Sequence, residues 1–485
     1  MRNSLPAIAL AVALAIAGCT TTPTAPPQLD LPAASAAPVP REALARWWTA
    51  FGDPTLDKLV DEARANNLDL SAAMARVQLA RAQVTLSQAD LFPSVDLGVG
   101  ASRSRSTQSG SNPLPSNFSP YSNDFRVALR ASYEVDLWSK FRTATRAAQA
   151  DLLASQYGQE VVRTMVEADT ARFYFNLLAA DAQLSLLQQT LKTRNESVEL
   201  QTDRYNAGII GDYDLGTAQA ERASVMADIA AARRAVVEYE SALAVLLGRS
   251  PREVYTPALA RDVAMTTMTT VPAIPAGLPS DLLARRPDIR QAEAQLAAAN
   301  LRIDVARADY YPSISLTGAF GTEAGALKNL FSGPAAIWTL AGALLQPLFG
   351  LQAIDANVEA QTARRNAVVV SYTKTVQAAF RDAHDALSAN ETTRAGLAAQ
   401  TERKDRLAHV LELSDLRYRS GYSPYLEVLD AQRQLLQAQT LQIIAARNVR
   451  LSAVDLATAL GGGWDTDGAV TPPTSLVGAG SGSSR

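Results

Sequence analysis

Few side chains in this sequence of 485 residues could do covalent or metal chemistry. The two histidines, His384 and His409, lie twenty-five residues apart on a predicted helix, and neither has a cysteine partner. The sole thiol is Cys19. No glycine-rich phosphate loop accompanies a strand, so no catalytic residues, metal or other cofactor are expected. What remains is electrostatics around a repeated turn. "RYNAGIIGDYDLGTAQ" at 204–219 and "RYRSGYSPYLEVLDAQ" at 417–432 share one pattern. Gly208 and Gly421 are placed as left-handed C-cap residues, so Arg204-Tyr205 and Arg417-Tyr418 belong to the last turn of a helix that then reverses. Leu411, Asp415 and Tyr418 are spaced i, i+4, i+7 and share a helix face. Glu427 and Asp430 are i, i+3 on the returning helix. Carboxylates brought together near an axis repel one another, raise their own pKa and attract cations.

Composition restricts the partners. Net charge is −3, which argues against nucleic acid. The chain is 47% hydrophobic but only 6% aromatic, and its wealth of Ala, Leu and Gln favours long helices. Arg2 and the apolar run Leu5 to Ala17 read as a secretory signal, too short to span a membrane. Ile16-Ala17-Gly18-Cys19 resembles a lipobox. The resemblance implies cleavage after residue 18 and a covalent lipid on Cys19, and Thr20 in place of Asp leans towards sorting to an outer membrane. Residues 19–46 then form an acylated tether, and 465–485 a Gly/Ser-rich disordered tail.

The chain is duplicated. "LFPSVDLGV" at 91–99 matches "YYPSISLTG" at 310–318, as the two Arg-Tyr-x-x-Gly turns match each other. Repeat 1 covers 47–250 and repeat 2 covers 280–464, with a proline-dotted linker at 251–279. Each repeat predicts a helix (54–90; 280–309), two strands, a long helix (140–207; 353–419) and a returning helix (212–248; 424–460). The strands fall at about 94–106 and 123–138, then at about 312–321 and 335–349. From Phe125 to Leu137 odd positions are apolar or aromatic, and even positions from Asp124 to Asp136 are mostly polar. That alternation, sustained over about 13 residues, suits a transmembrane β-strand with lipid on one face and water on the other. No later stretch is a credible transmembrane helix; Ala335–Leu345 is about half the needed length. Four strands cannot close a barrel, and an open edge in lipid leaves backbone groups unpaired. Two copies would give eight strands and three would give twelve. Only twelve leave room for an aqueous lumen, so a transport role points to the trimer. The long helices carry narrow seams with polar faces on two sides, as in a wall wetted inside and out.

Trp47-Trp48-x-x-Phe51-x-Asp53-Pro54-x-Leu56, the two Pro-Ser strand starts and both Arg-Tyr-x-x-Gly turns together resemble the outer-membrane factor (TolC-like) family of tripartite efflux systems. The nearest likeness is to its lipoprotein branch, which serves resistance-nodulation-division pumps. It covers roughly 41–464. The resemblance implies an α+β membrane protein, a homotrimer whose twelve-stranded outer-membrane β-barrel continues as a twelve-helix periplasmic α-barrel. It implies a passive exit duct for drugs or other small molecules, with a periplasmic adaptor protein and an inner-membrane pump as partners. It further implies that the turns form a periplasmic gate. Leu411 and Asp415 would make constricting rings, Glu427 and Asp430 would supply acidic positions, and Arg417 and Tyr418 would link neighbouring helices. Thr202 stands opposite Asp415 and Gly216 opposite Leu429, so the six tips of a trimer should be only pseudo-equivalent. The alternative is a structural or adhesive outer-membrane lipoprotein rod without a channel.

Overall fold

A computed structural model describes residues 46–107, 119–256, 259, 261 and 286–462. The signal segment, Cys19, most of the tether and linker, and the tail lie outside the described residues. Each repeat supplies two strands and two long helices. Repeat 1 gives α1 (Pro54–Asn66), α2 (Leu68–Ala89), β1 (Ser94–Arg105), β2 (Tyr121–Glu134), α3 (Lys140–Asn206) and α4 (Asp212–Leu246). A single turn, α5 (Pro251–Tyr255), opens the linker under a Ser250/Glu253 capping box. Repeat 2 gives α6 (Pro287–Ala308), β3 (Ser313–Ala324), β4 (Ala336–Leu345), α7 (Gln352–Arg419) and α8 (Tyr425–Ala459).

The helix expected from residue 280 begins at Pro287, after Arg286 in an extended conformation (ψ 130°), and the strand expected to reach residue 349 stops at Leu345. Two further boundaries differ for local reasons. The expected helix 54–90 is broken at Asn67, whose backbone is extended (ψ 132°). Its side chain caps α2 by accepting from Leu70 N at 3.0 Å and ties the break to α4 by donating to Leu246 O at 2.9 Å. The strand expected to reach residue 138 stops at Glu134. There Asp136 turns inward and accepts from Phe141 N and Arg142 N at 3.1 and 3.0 Å, starting α3.

The four strands form one antiparallel sheet in the order β1-β2-β3-β4. One row of partners runs Leu97, Leu129, Phe320, Trp338; the next runs Val95, Ala131, Gly318, Leu340. That face is apolar and open, with Trp338 76% exposed. The opposite face carries Asp96, Arg130, Arg126 and Glu323, the last two 3.7 Å apart. Both β1 and β4 have a strand on one side only.

The helices make a wall rather than a ball. At ~1.5 Å per residue, α3 (67 residues) and α7 (68 residues) each run about 100 Å. Over its first part α3 packs between α2 and α6; further along it packs between α4 and α8. The seams are rich in alanine, such as Ala154 against Ala294 and Ala383 against Leu456 and Leu460, which lets the backbones approach closely. Among the described residues no helix is long and apolar enough to cross a membrane.

The largest apolar core lies at mid-height of α3. Trp47, Trp48 and Phe51 pack onto Tyr174, Phe175 and Leu178, with Leu243 of α4 and Val454 of α8 closing the cluster. Trp47 and Trp48 meet edge to face, and Phe51 lies 4.9 Å from Phe175. Asp53 caps α1 through Thr55 N and Leu56 N and accepts from the Tyr174 hydroxyl at 2.6 Å. The Trp-Trp-x-x-Phe-x-Asp-Pro stretch is therefore an anchor for the first helix on the long one.

Candidate functional site

The site is built where α3 and α7 reverse. Each ends in the same backbone device. Gly208 (φ +71°) donates to Tyr205 O and Ile209 to Arg204 O, both at 2.9 Å. Gly421 (φ +79°) donates to Tyr418 O at 3.0 Å and Tyr422 to Arg417 O at 2.9 Å. These are Schellman caps, and the Arg-Tyr pair supplies the two carbonyls that each cap needs. The left-handed position is why glycine stands there.

The side chains above these caps do different work in the two copies. Tyr418 is half-buried between the hairpins; its hydroxyl accepts from Gln201 Nε2 at 3.2 Å and from Arg204 Nη1. The Arg204 guanidinium also lies over the Tyr418 ring, 5.2 Å from its centroid. Tyr205, the counterpart of Tyr418, is exposed instead. Arg417, the counterpart of Arg204, turns to Glu427 of its own hairpin at 3.5 Å. Beneath this link Val198 and Ala218 of repeat 1 pack on Tyr425, Val428 and Leu429 of repeat 2, with Leu411 and Tyr418 at the margin.

The residues singled out from sequence are thus brought to one place, though not to one task. Leu411 and Tyr418 turn into the seam between hairpins, so within the protomer Leu411 is a packing residue. Asp415 is half-buried and is bridged along α7 by Arg419 at 2.8 Å. Asp430 is exposed and accepts from Gln434 at 2.5 Å. His384 and His409 are exposed on α7, 3.5 Å from Asp385 and 3.4 Å from Glu412.

Sequence reading missed a second link, about two to three turns further up α3. Arg194 of α3 is almost fully buried, donates to Gln432 of α8 and stands 3.8 Å from Glu221 of α4. Glu221 also accepts from Arg433 of α8, which holds its carboxyl below the usual range. Burial lowers the pKa of the Arg194 guanidinium. Gln432 closes the repeated sixteen-residue pattern, whereas its counterpart Gln219 is exposed; the pattern alone gives no sign of that difference.

Comparison with known proteins fits this arrangement. The profile of the family described as outer membrane efflux protein matches residues 59–249 and 278–462. The chain is 33% identical over 466 residues to the pyoverdine export outer membrane protein OpmQ of Pseudomonas putida, covering 94% of this chain and 97% of that one. It is 34% identical over 420 residues to the solvent efflux pump outer membrane protein SrpC of Pseudomonas putida, covering 85% and 86%. Among solved structures, the Campylobacter jejuni CmeC outer membrane channel superposes with a TM-score of 0.84 at 28% identity, covering 91% of this chain and 95% of that one. The open state of the Neisseria gonorrhoeae MtrE outer membrane channel gives 0.81 at 31% identity, covering 92% and 98%. The chain belongs to the outer membrane efflux protein family: it is a channel protein of the outer membrane that reaches into the periplasm, and not an enzyme.

Proposed function

We propose that three copies close the sheet into a twelve-stranded barrel and the helices into a twelve-helix duct, and that this trimer is the passive exit of a tripartite pump. One observation carries the reading. The sheet has two unpaired edges, β1 and β4, beside an apolar face. In lipid those edges must find partners, and only another copy offers the complementary edge. The tips then meet a periplasmic adaptor protein, and a resistance-nodulation-division pump in the inner membrane supplies the energy. Relatives are named for pyoverdine export and for solvent efflux, which supports small molecules as the cargo. A covalent lipid on Cys19 adds a second hold on the membrane; the mass of the mature N-terminal peptide reads it directly.

Electron microscopy of the detergent-solubilised mature protein, with its mass by light scattering, tests the assembly. Helix plus tilted strand gives a particle about 140 Å long. A three-fold hollow cylinder of that length is the expected result. A solid rod or a monomer would end the reading and favour the adhesive rod.

A further inference from the structure

We propose that Arg103, Arg105 and Tyr121 form a binding site for the phosphorylated headgroup of a glycolipid in the outer leaflet of the outer membrane. The inference rests on the sheet lying in that membrane. Strand parity sets the geometry. Val95, Leu97, Val99 and Ala101 occupy the apolar face of β1, and Arg103 and Arg105 continue the same face at the end farthest from the helices. Arg105 pairs directly with Tyr121 across the strands, and Arg103 lies diagonal to it. Both guanidiniums flank that one ring, their Cζ atoms 5.3 and 5.6 Å from its centroid.

Two cations held against one ring call for an anion, and the described residues offer none on that side. The outward positions of all four strands contain no Asp or Glu. Asp124 and Glu323, at the same end, have the opposite parity and face the other way. The connections 106–120 and 325–335 hold a single charged residue, Lys328, and no acid. No ion pair of Arg103 or Arg105 occurs among the described residues.

Arginine on a lipid-facing strand is tolerated only near the interface, where its head reaches phosphates. A planar guanidinium donates two parallel hydrogen bonds to a phosphate, and two of them side by side fit a multiply charged headgroup better than a single choline- or ethanolamine-type phosphate. The tyrosine fixes both side chains in advance.

Native mass spectrometry of the solubilised mature protein provides the test. It would be titrated with lipid A bearing two, one or no phosphates, and with inorganic pyrophosphate as the unanchored anion. The bisphosphorylated lipid should bind at least tenfold more tightly than the dephosphorylated one, and pyrophosphate should not compete at equal concentration. Arg103→Gln/Arg105→Gln should abolish the preference while the same spectrum shows the oligomer mass unchanged. Equal binding of all three lipids, an unchanged preference in the double variant, or full competition by pyrophosphate would overturn the proposal. Should the double variant fail to assemble, Arg103→Gln and Arg105→Gln separately decide it: about threefold loss in each supports the site, and no loss in either overturns it. None of these outcomes touches the channel reading, which the particle's shape and mass decide.

Discussion

The two repeats share a backbone and differ in what they bury. Counting from the common Arg-Tyr, Gly216 on α4 stands where α8 has Leu429, Thr202 where α7 has Asp415, and Glu167 where α7 has Phe380. Leu429 is fully buried in the tip seam, while a Cβ on Gly216 would meet nothing within 4 Å. Phe380 packs on Ile289, Tyr372 and Val376. Glu167 is sealed into the seam of α1 and α3, 3.3 Å from Arg64, and neither of its oxygens has a hydrogen-bond partner. Duplication thus copied helices and caps, and each copy then took a different part in one wall. Repeat 2 supplies the apolar side of the tip; repeat 1 supplies the polar reach across it.

The largest effect expected from this division is at Leu429. Leu429→Ala removes a side chain that bridges hairpins and should cost about 2–5 kcal/mol. Gly216→Ala at the matching position should be neutral or slightly stabilising. Urea unfolding of both variants checks the contrast, and equal losses would erase it.

Glu167 comes next. Burial outweighs the attraction of Arg64 and raises its pKa to about 8. In the unfolded chain the group titrates near 4.5, so between the two values the native state holds a proton that the unfolded state has lost. Stability therefore falls as pH rises from about 4.5 to about 8, and is fully retained below that window. Glu167→Gln should flatten this slope and stabilise the protein above pH 8 by roughly 1–3 kcal/mol. Melting curves at several pH values read the difference directly; parallel curves for the two proteins would refute the assignment.

How much of this was legible beforehand depends on the physics of each element. Strand parity survives in repeat 1, where apolar and polar residues alternate along β1 and β2, so both could be placed within a few residues; β3 followed from the match of its Pro-Ser start to that of β1. The turns were legible because a left-handed cap demands glycine at one position. The Trp-Trp-x-x-Phe stretch gave its identity away but not its job, since packing on Phe175 is a tertiary fact. The break at Asn67 was hidden by a continuous helical pattern on either side of it. Arg194, Gln201 and Glu221 could not be found at all. Charged and amide residues on a long polar helix look alike until the neighbouring helix decides which of them is buried. For the same reason the packing of Leu411 against the cluster of Val198 and Leu429 was not visible in the spacing that suggested a pore ring.

The cross-hairpin link is expected to give a small loss of stability and the sharpest change in function. Arg204 and Arg417 occupy the same position of the pattern, yet Arg204 grips Tyr418 across the seam while Arg417 stays within its own hairpin. Losing the Arg204 contacts should cost only about 1 kcal/mol, the scale of one hydrogen bond with a partly exposed cation–π contact. If the tips are the closed end of the duct, that contact resists their separation in every protomer. Arg204→Ala should then raise the resting conductance of channels in planar bilayers, and Arg417→Ala should raise it much less. Asp415→Ala belongs on the same scale: among the described residues its carboxylate is tied only along α7, so any rise in leak would come from loss of a charged ring rather than of a tether. Such a ring would be cation-selective in the resting state, and removing it would weaken the selectivity. Equal conductance for Arg204→Ala and Arg417→Ala would mean that the two turns are interchangeable after all, and that the asymmetry between the repeats is one of packing alone.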